Sequence, residues 1–323
     1  MSRQKILICG ATGFIGRNMI KRLAKRDDLE VCGTFLKTEP AASLAADRRI
    51  SLRRVDLTHP EQVDLAVRGV DVVIQAAAVT SGAKDIVSRP YIHVTDNAVM
   101  NSLLFRACFA HGVKHVVFFS CTAMYSPQAQ PVREEDFDHR IIDKYFGAGW
   151  TKVYIEKMCE FYSRIGATRY TAIRHSNIYG PHDKYDLERS HVFGATVTKV
   201  LTSEGTVTVW GDGAETRDLL YVSDLADFVE LVLARQTDRF ELINLGCGSS
   251  VAIGDLVKKI ILFSGKPLSV RFDTSKPAIN FNISLNIDKA RDKYGWTPKV
   301  SLDEGIQKTL AWHREAFPTG ALT

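Results

Sequence analysis

The chain has 323 residues, of which 45% are hydrophobic and 24% charged, so it is long enough for one large or two modest domains with buried cores. Its formal net charge is +5, and it has neither a long basic run nor a basic-aromatic patch. This balance favours a small anionic ligand and disfavours nucleic acid as a partner. No apolar stretch approaches the length of a membrane span, so we expect no membrane segment.

The amino terminus and the cysteines predict a cellular compartment. The first five residues run directly into an apolar segment, so we expect no signal peptide. The six cysteines, at positions 9, 32, 108, 121, 159 and 247, include no C-x-x-C pair and lie mostly in apolar segments. They are typical of reduced core thiols, so we expect a cytoplasmic protein with neither disulfides nor a metal site.

The first elements in chain order are the most informative. An apolar strand pattern at 5–9 is followed by Gly10-x-x-Gly13-x-x-Gly16 and by a helix pattern at 17–26. One glycine permits the tight turn, one lets backbone N–H groups approach a pyrophosphate, and one lets the helix pack close to the sheet. The spacing differs from G-x-G-x-x-G, and a plain turn with glycine at positive φ is the alternative. The flanking strand and helix favour dinucleotide binding.

Strand and helix patterns alternate along the next part of the chain. The predicted strands cover 30–35, 50–55, 70–75, 115–119 and 170–174, and the predicted helices cover 60–68, 94–110 and 150–165. Apolar strands interleaved with helices predict an α/β protein with a Rossmann-type doubly wound parallel sheet. We expect a dinucleotide-binding domain at 1–178, to which about 218–247 returns, and mainly a smaller α/β substrate lobe at 179–323.

Further motifs extend the pattern over nearly the whole chain. They are Val55-Asp56-Leu57, Ala76-Ala77-Ala78, Asn97, Ser120 to Tyr125, Asn177 to Pro181 and Arg217 to Asp224. In this order they resemble the extended short-chain dehydrogenases/reductases of the NAD-dependent epimerase/dehydratase family. Within that family the chain is most similar to GDP-L-fucose synthases, which are GDP-4-keto-6-deoxymannose epimerase/reductases. The similar stretches are 179–183, 190–192, 209–213, 272–277 and 294–296.

The resemblance implies which residues contact the ligands. For the cofactor they are Gly10, Thr12, Gly13, Phe14, Ile15, Gly16, Asp56, Leu57, Ala76, Ala77, Ala78, Asn97, Lys152 and Asn177. For the substrate they are Thr80, Ser81, Asn177, His191, Trp210, Arg217 and Lys276. Arg217 and Lys276 would bind the pyrophosphate. Trp210 would stack on a base or sugar ring, or simply pack in its strand.

The end of the second predicted strand bears on the choice of cofactor. Residues 33–37 lack the carboxylate that would bind an adenosine ribose diol and favour NAD. Thr34 and Lys37, with Arg17 after the glycine turn, offer groups for a 2′-phosphate. We therefore expect NADP(H), with NAD(H) as the alternative, and ordinary solvated charge is the competing explanation of these side chains. Asp56 would flank the adenine, or it forms a turn at its strand end.

The catalytic positions depart from the family pattern. The family carries a Tyr four residues before its catalytic Lys, whereas here Lys152 is preceded by Ala148, and Tyr-x-x-x-Lys occurs nowhere in the sequence. The cysteine acid/base of the fucose synthases is replaced by Ala123. A Tyr at position 148 would share a helix face with Lys152, whose charge would lower the pKa of the phenol. Ala148 is either an engineered replacement or natural divergence, and the second loss at Ala123 favours divergence.

Five side chains are candidates for the missing acid. They are Tyr145, Cys121, Thr122, His191 and Tyr125. Tyr145 lies in a predicted loop at 143–149, where a surface aromatic is equally plausible. Cys121 would need a depressed pKa, and inert core sulfur is its alternative. His191 matches the histidine that moves protons in fucose synthases, with a capping or core role as its alternative.

The resemblance implies an enzyme that epimerises a 4-keto-6-deoxy nucleotide sugar, preferably GDP-linked, and reduces it by hydride transfer from a nicotinamide. Lys152 would orient the cofactor. One alternative is a nucleotide-sugar dehydratase or single-centre epimerase with retained NAD(P), and another is a catalytically inactive nucleotide-sugar-binding protein. The resemblance also implies a homodimer formed through the helices at 94–110 and 150–165, whose apolar stripe is otherwise explained as core.

Overall fold

The computed structural model describes residues 3–80, 89–187, 190–275 and 282–318, so the predicted substrate residues Ser81 and Lys276 lie outside it. Its strands are β1 Gln4–Cys9, β2 Leu29–Phe35, β3 Ile50–Arg54, β4 Val72–Gln75, β5 His115–Phe119, β6 Arg169–His175, β7 Asn177–Tyr179, β8 Thr206–Trp210, β9 Thr216–Arg217, β10 Leu219–Tyr221, β11 Phe240–Leu245, β12 Val251–Ala252 and β13 Ser269–Asp273. Its α-helices are α1 Phe14–Leu23, α2 Ala42–Ala45, α3 Pro60–Val67, α4 Thr95–Ala110, α5 Phe146–Ile165, α6 Val192–Thr202, α7 Val222–Arg235, α8 Ile253–Ser264, α9 Asp288–Tyr294 and α10 Leu302–Ala316.

The centre of the molecule is a parallel sheet. Within the described ranges it has seven strands in the order β11-β6-β5-β4-β1-β2-β3, and every neighbouring pair runs parallel. The chain builds outward from β1 in one direction through β3 and from β4 in the other through β11. The carboxyl ends of β1 and β4 therefore meet where the winding reverses, which is where such sheets bind ligands. The predicted α/β class with a doubly wound parallel sheet is confirmed.

Both faces of the sheet are covered by helices, which explains the continuous apolar strands. In β1, Ile6 and Ile8 face a core that includes α1 and α7 side chains, whereas Leu7 and Cys9 face a core that includes α3, α4 and α5 side chains. A strand buried on both sides needs apolar residues at every position. This is the reason why the strand patterns in the sequence are runs and not alternations.

A smaller cluster of elements lies beyond residue 178. The strands β8 and β13 pair in parallel, and α6, α8 and α10 share a separate hydrophobic core with Tyr179 and Phe193. The strand β11 belongs instead to the main sheet, where it pairs with β6 at the edge. No helix in the part of the chain that the structure describes is long and apolar enough to span a bilayer. All six cysteines are free thiols.

The helix α5 begins earlier than the sequence indicates. The predicted loop at 143–149 is wrong from Phe146 onward, because residues 146–149 form the first turn of α5 after a 3-10 turn at Asp143–Tyr145. A glycine costs about 1 kcal/mol in a helix relative to alanine, so Gly147 and Gly149 argue locally against a helix. Packing overrides this preference, since an added Cβ on Gly149 would lie 2.9 Å from Ile141. Position 148 and Lys152 therefore lie on one continuous helix.

Candidate functional site

The glycine turn between β1 and α1 has no room for side chains. Gly10 has a φ of 74°, and an added Cβ there would lie 2.7 Å from the Cα of Ala77. An added Cβ on Gly16 would lie 2.1 Å from the carbonyl oxygen of Gly10. Gly13 precedes α1 and has no side chain to cap it, so the first N–H groups of the helix are available to an anion. This tight cradle fits the pyrophosphate of a dinucleotide.

The other predicted residues of the turn lie around it. Thr12 is half-exposed in the turn, and Phe14 and Ile15 begin α1 and pack against the core beneath it. The run from Ala76 to Ala78 follows β4 and closes the turn from the opposite side, where Ala77 approaches Gly10. The structure thus brings these predicted cofactor residues together at the carboxyl edge of the sheet.

Asn97 and Thr34 have their side chains engaged in holding the backbone. The Asn97 amide donates to the carbonyls of Val79 and His93 at 3.0 and 2.8 Å, and its oxygen accepts from the Val79 N–H at 2.9 Å. Thr34 is only 2% exposed, and its hydroxyl accepts from the Gly10 N–H at 3.4 Å. Both side chains therefore support the walls of the site, and Thr34 does not present its hydroxyl to a 2′-phosphate.

The residues after β2 and β3 define the far end of the cradle. Asp56 accepts from the backbone N–H and the hydroxyl of Thr58 at 2.9 and 2.7 Å, so its carboxylate forms a turn, and Leu57 is buried beside it. Beyond β2, Lys37 is exposed. Arg54, at the end of β3, forms an ion pair with Glu39. The sequence analysis overlooked Glu39, because it lies four residues past the end of β2.

Arg17 lies on α1, near two other basic side chains. It is close enough to Lys21 and His182 to lower the pKa of both, although burial contributes more in each case. The Lys21 ammonium lies 3.4 Å from His182 Nε2. These basic side chains lie where α1 meets the loop after β7. The side-chain amide of Asn18 on α1 donates a hydrogen bond to the Pro181 carbonyl of that loop at 2.9 Å.

Lys152 points from α5 to the carboxyl end of β5. Its ammonium donates to the carbonyl of Phe119 at 2.8 Å and lies 4.6 Å from the centre of the Phe118 ring. Burial lowers the pKa of this ammonium. Ala148 lies one helical turn earlier on the same helix, so a longer side chain there would lie along the Lys152 face. The lysine is therefore held at the edge where the nicotinamide end of a dinucleotide bound by the turn is expected.

A buried ion pair lies one turn after Lys152, and the sequence analysis missed it. Arg174 donates to the Glu156 carboxylate from Nε at 3.0 Å and from Nη2 at 2.7 Å, and the two side chains are 3% and 4% exposed. Ser120 donates to the same carboxylate at 2.6 Å. Tyr125 accepts from Arg174 and donates to Asn244, each at 2.8 Å, so its hydroxyl is committed to this network. We therefore discard Tyr125 as a replacement acid.

Two histidines and a thiol lie in the neighbourhood of the Lys152 side chain. His175, at the end of β6, interacts electrostatically with Lys152 and with His191, which caps α6. Sequence reasoning missed His175, although its position at the end of a predicted strand was a usable signal. His191 is exposed to the cleft, but the protein around it and Lys184 lower its pKa. Burial raises the pKa of the Cys121 thiol, and Lys152 opposes this increase.

Tyr145 and Arg217 lie close to each other. Burial raises the pKa of Tyr145, and the neighbouring guanidinium of Arg217 opposes this increase. Arg217 also faces Glu215 at 3.5 Å, a partner that the sequence did not reveal. Thr122, the remaining candidate acid, is half-buried, and its carbonyl accepts from the backbone of Tyr125. Tyr145 thus lies close to both Cys121 and Arg217, the residue that is predicted to bind the pyrophosphate.

The rest of the predicted substrate residues follow the cleft outward. Trp210, at the end of β8, is 55% exposed, and the Lys199 ammonium lies 5.5 Å from its ring. Thr80 is exposed, and its carbonyl accepts from the Lys184 ammonium at 3.2 Å. The side-chain amide of Asn177 donates to the carbonyl of Asp218 at 3.2 Å. This hydrogen bond joins β7 to the residue that precedes β10.

Comparison with known proteins agrees with this geometry. The family model described as "NAD dependent epimerase/dehydratase family" matches residues 6–246. A GDP-L-fucose synthase of Sinorhizobium fredii is 29% identical over 95% of this chain and 94% of its own length. A dTDP-4-dehydro-6-deoxy-D-allose reductase of a Streptomyces species is 27% identical over 96% of each. The solved UDP-glucose 4-epimerase of Thermus thermophilus in complex with NAD superposes with a TM-score of 0.84 at 26% identity, over 97% of this chain and 100% of that one. The chain is therefore a member of the NAD-dependent epimerase/dehydratase family, the extended short-chain dehydrogenases/reductases that act on nucleotide sugars.

Proposed function

We propose that the protein is an NAD(P)-dependent epimerase/reductase of a 4-keto-6-deoxy nucleotide sugar, preferably GDP-linked. The observation that carries the proposal is the convergence of the glycine cradle, Lys152 and His191 at the carboxyl edge of one sheet. The names of two relatives support the sugar class, since one makes GDP-L-fucose and the other reduces a 4-dehydro-6-deoxy sugar nucleotide. The six free thiols are consistent with a cytoplasmic enzyme.

The cofactor would bind along the cradle with its pyrophosphate at the N-terminus of α1. When bound, the nicotinamide supplies the hydride for reduction. Lys152 would hold the nicotinamide ribose, because its ammonium is anchored by the Phe119 carbonyl. We favour NADP(H), because Lys37 is exposed beyond β2 and Arg54 lies at the end of β3. Glu39, which pairs with Arg54, is the feature that favours NAD(H).

The substrate would lie across the cleft toward the smaller lobe. Arg217 would bind the diphosphate, with Lys276 beyond the described residues as a second ligand. Trp210 and Lys199 form an exposed cation–aromatic pair that offers a stacking surface for the base. Asn177, Thr80 and Ser81 would contact the sugar near the nicotinamide. His191 would move protons during epimerisation, and Tyr145, Cys121 and Thr122 are the candidates for protonating the reduced oxygen.

Restoring the missing phenol tests the proposal. With NADPH and a 4-keto-6-deoxy GDP-sugar, Ala148→Tyr should oxidise NADPH at least about tenfold faster than the wild type, since a positioned acid contributes about 10²–10⁴ to such steps. The absorbance of NADPH measures the rate. Ala148→Phe, which has the same ring without the hydroxyl, should give no gain. If Tyr and Phe behave alike, the native reaction is a different one.

A second candidate is a dehydratase or single-centre epimerase that retains its cofactor, which the likeness to the NAD-bound UDP-glucose 4-epimerase favours. Such a protein would be purified with NAD(P) bound and would need no added reductant. A catalytically inactive binder would instead be stabilised by nucleotide sugars without exchanging their C–H hydrogens with deuterated solvent.

We also propose a homodimer that forms through α4 and α5. Phe109 on α4 and Tyr154, Phe161 and Ile165 on α5 are between 41% and 53% exposed, so these helices carry apolar surface outside the core. Pairing of such faces would form a four-helix bundle.

A further inference from the structure

A backbone carbonyl fixes the tautomer of His175, the residue that ends β6. Its Nδ1 lies 2.8 Å from the carbonyl oxygen of Ser176. A carbonyl only accepts hydrogen bonds, so Nδ1 carries the hydrogen, and in the neutral ring Nε2 carries the lone pair. No residue that the structure describes forms a hydrogen bond with Nε2. The ring is therefore fixed in one tautomer by the backbone, and its second nitrogen is free to accept a proton.

The surroundings of His175 keep the ring neutral and place it at the chemistry. Lys152, on α5, and His191, at the start of α6, both interact electrostatically with this ring. The ring also contacts the Phe119 ring edge-on, with the two ring centres 6.2 Å apart. Burial, together with the charge of Lys152, lowers the pKa of His175 to about 4. Other charged or titratable groups nearby are Cys121 and Glu156 beside Lys152 and Lys184 beside His191. A neutral imidazole thus interacts with both the cofactor lysine and the predicted proton carrier.

We propose that His175 is a second proton-transfer group of this site and works with His191 in place of the family acid/base residue lost at Ala123. The proposal rests on the function proposed above. In the step, the C–H bond next to the sugar ketone breaks and Nε2–H forms. The electron pair moves into a C=C bond while the ketone oxygen takes the negative charge. Return of a proton from either imidazolium to that carbon restores the ketone, so the step needs no oxidant or reductant.

His115 shows what a structural histidine looks like in the same sheet. His115 is buried, and burial lowers its pKa to about 4, as it does for His175. Its Nε2, however, lies 2.8 Å from the Thr171 hydroxyl, and it begins β5 at the amino edge of the sheet. His175 ends β6 at the opposite edge. Burial lowers the pKa of both rings, and the two residues differ in exposure, in position and in the partner of Nε2, so His115 serves as a control at the opposite edge of the sheet.

The test is solvent exchange of the sugar C–H hydrogens. A 4-keto-6-deoxy GDP-sugar is incubated with the protein and NADP⁺ in deuterated water, and exchange is followed by NMR. His175→Asn retains an amide that can donate to the Ser176 carbonyl but removes Nε2, so it should exchange about 10²-fold more slowly than the wild type. Added imidazole should restore part of the rate, and the thermal midpoint should stay near that of the wild type. His115→Gln should exchange at the wild-type rate.

The outcomes separate the two proposals. Suppose that the wild type exchanges and that His175→Asn exchanges at the same rate, or that its rate falls only as its folded fraction falls and imidazole does not restore it. Either result would overturn the role of His175 and leave the proposed function standing. If the wild type binds NADP⁺ and the sugar nucleotide but exchanges no hydrogen, the epimerase function is overturned and the role of His175 with it. A slow variant rescued by imidazole supports both.

Discussion

Replacing Lys152 with methionine should lower kcat/KM for NADPH-dependent reduction by about 10²–10³, the usual effect of removing one preorganised donor. Methionine retains the length of the side chain and removes the charge. The ammonium is anchored by the Phe119 carbonyl over 2.8 Å and enclosed beside the Phe118 ring. Its position is therefore fixed before any ligand binds, which is the condition for a large electrostatic contribution.

The measurement compares steady-state rates and NADPH affinity for Lys152→Met and for Lys157→Met. Lys157 lies on the same helix, but its side chain is 70% exposed and pairs with Glu160 at 2.9 Å, so its loss should leave both quantities unchanged. Equal effects of the two substitutions, or a Lys152 variant with normal activity, would contradict the role assigned to this lysine.

Glu156→Met should lower the free energy of unfolding by about 3–5 kcal/mol, because it leaves the charge of Arg174 buried without its partner. The two side chains are only 3% and 4% exposed, and Arg174 donates from both Nε and Nη2. Ser120 would lose its acceptor as well. This network ties α5, one turn beyond Lys152, to the ends of β5 and β6, so its loss should also loosen the catalytic edge.

Urea unfolding of two variants and one control tests this expectation. Glu160→Gln removes the carboxylate that pairs with the exposed Lys157 and Arg164 on the same helix, and it should cost no more than about 1 kcal/mol. The double variant Glu156→Met with Arg174→Met should be more stable than Glu156→Met alone, since no buried charge is then left unpaired. A loss below about 1 kcal/mol for Glu156→Met, or a double variant no better than the single one, would refute the importance of the pair.

The strands of the sheet could be predicted from the sequence, because each strand has a signal in its own residues. Strands such as β5, which begins and ends at the predicted residues 115 and 119, are apolar runs between polar boundaries, and burial on both faces makes that signal strong. The start of α5 was mispredicted because the glycines at 147 and 149 disfavour a helix locally, and only contacts with Val94 and Ile141 from elsewhere in the chain reverse the preference.

The site was predictable where backbone geometry demands particular residues and less so where partners come from distant segments. The glycine turn is visible because a Cβ cannot fit there. The hydrogen bond from Tyr125 to Asn244 joins residues 119 positions apart, and the ion pair of Arg174 with Glu156 depends on how α5 lies on β6. Neither has a local signature. The same holds for Thr34, whose hydroxyl faces the turn because of the strand register.

The central claim is that the amino-terminal glycine turn binds a nicotinamide dinucleotide. Calorimetric titration of the purified wild type with NADPH and with NADH tests it most directly, with Gly16→Ala as the comparison. We expect one saturable site per chain for at least one of the two cofactors. The added methyl of Gly16→Ala would lie 2.1 Å from the Gly10 carbonyl oxygen, so this variant should lose binding. A wild-type protein that binds neither cofactor would contradict the account.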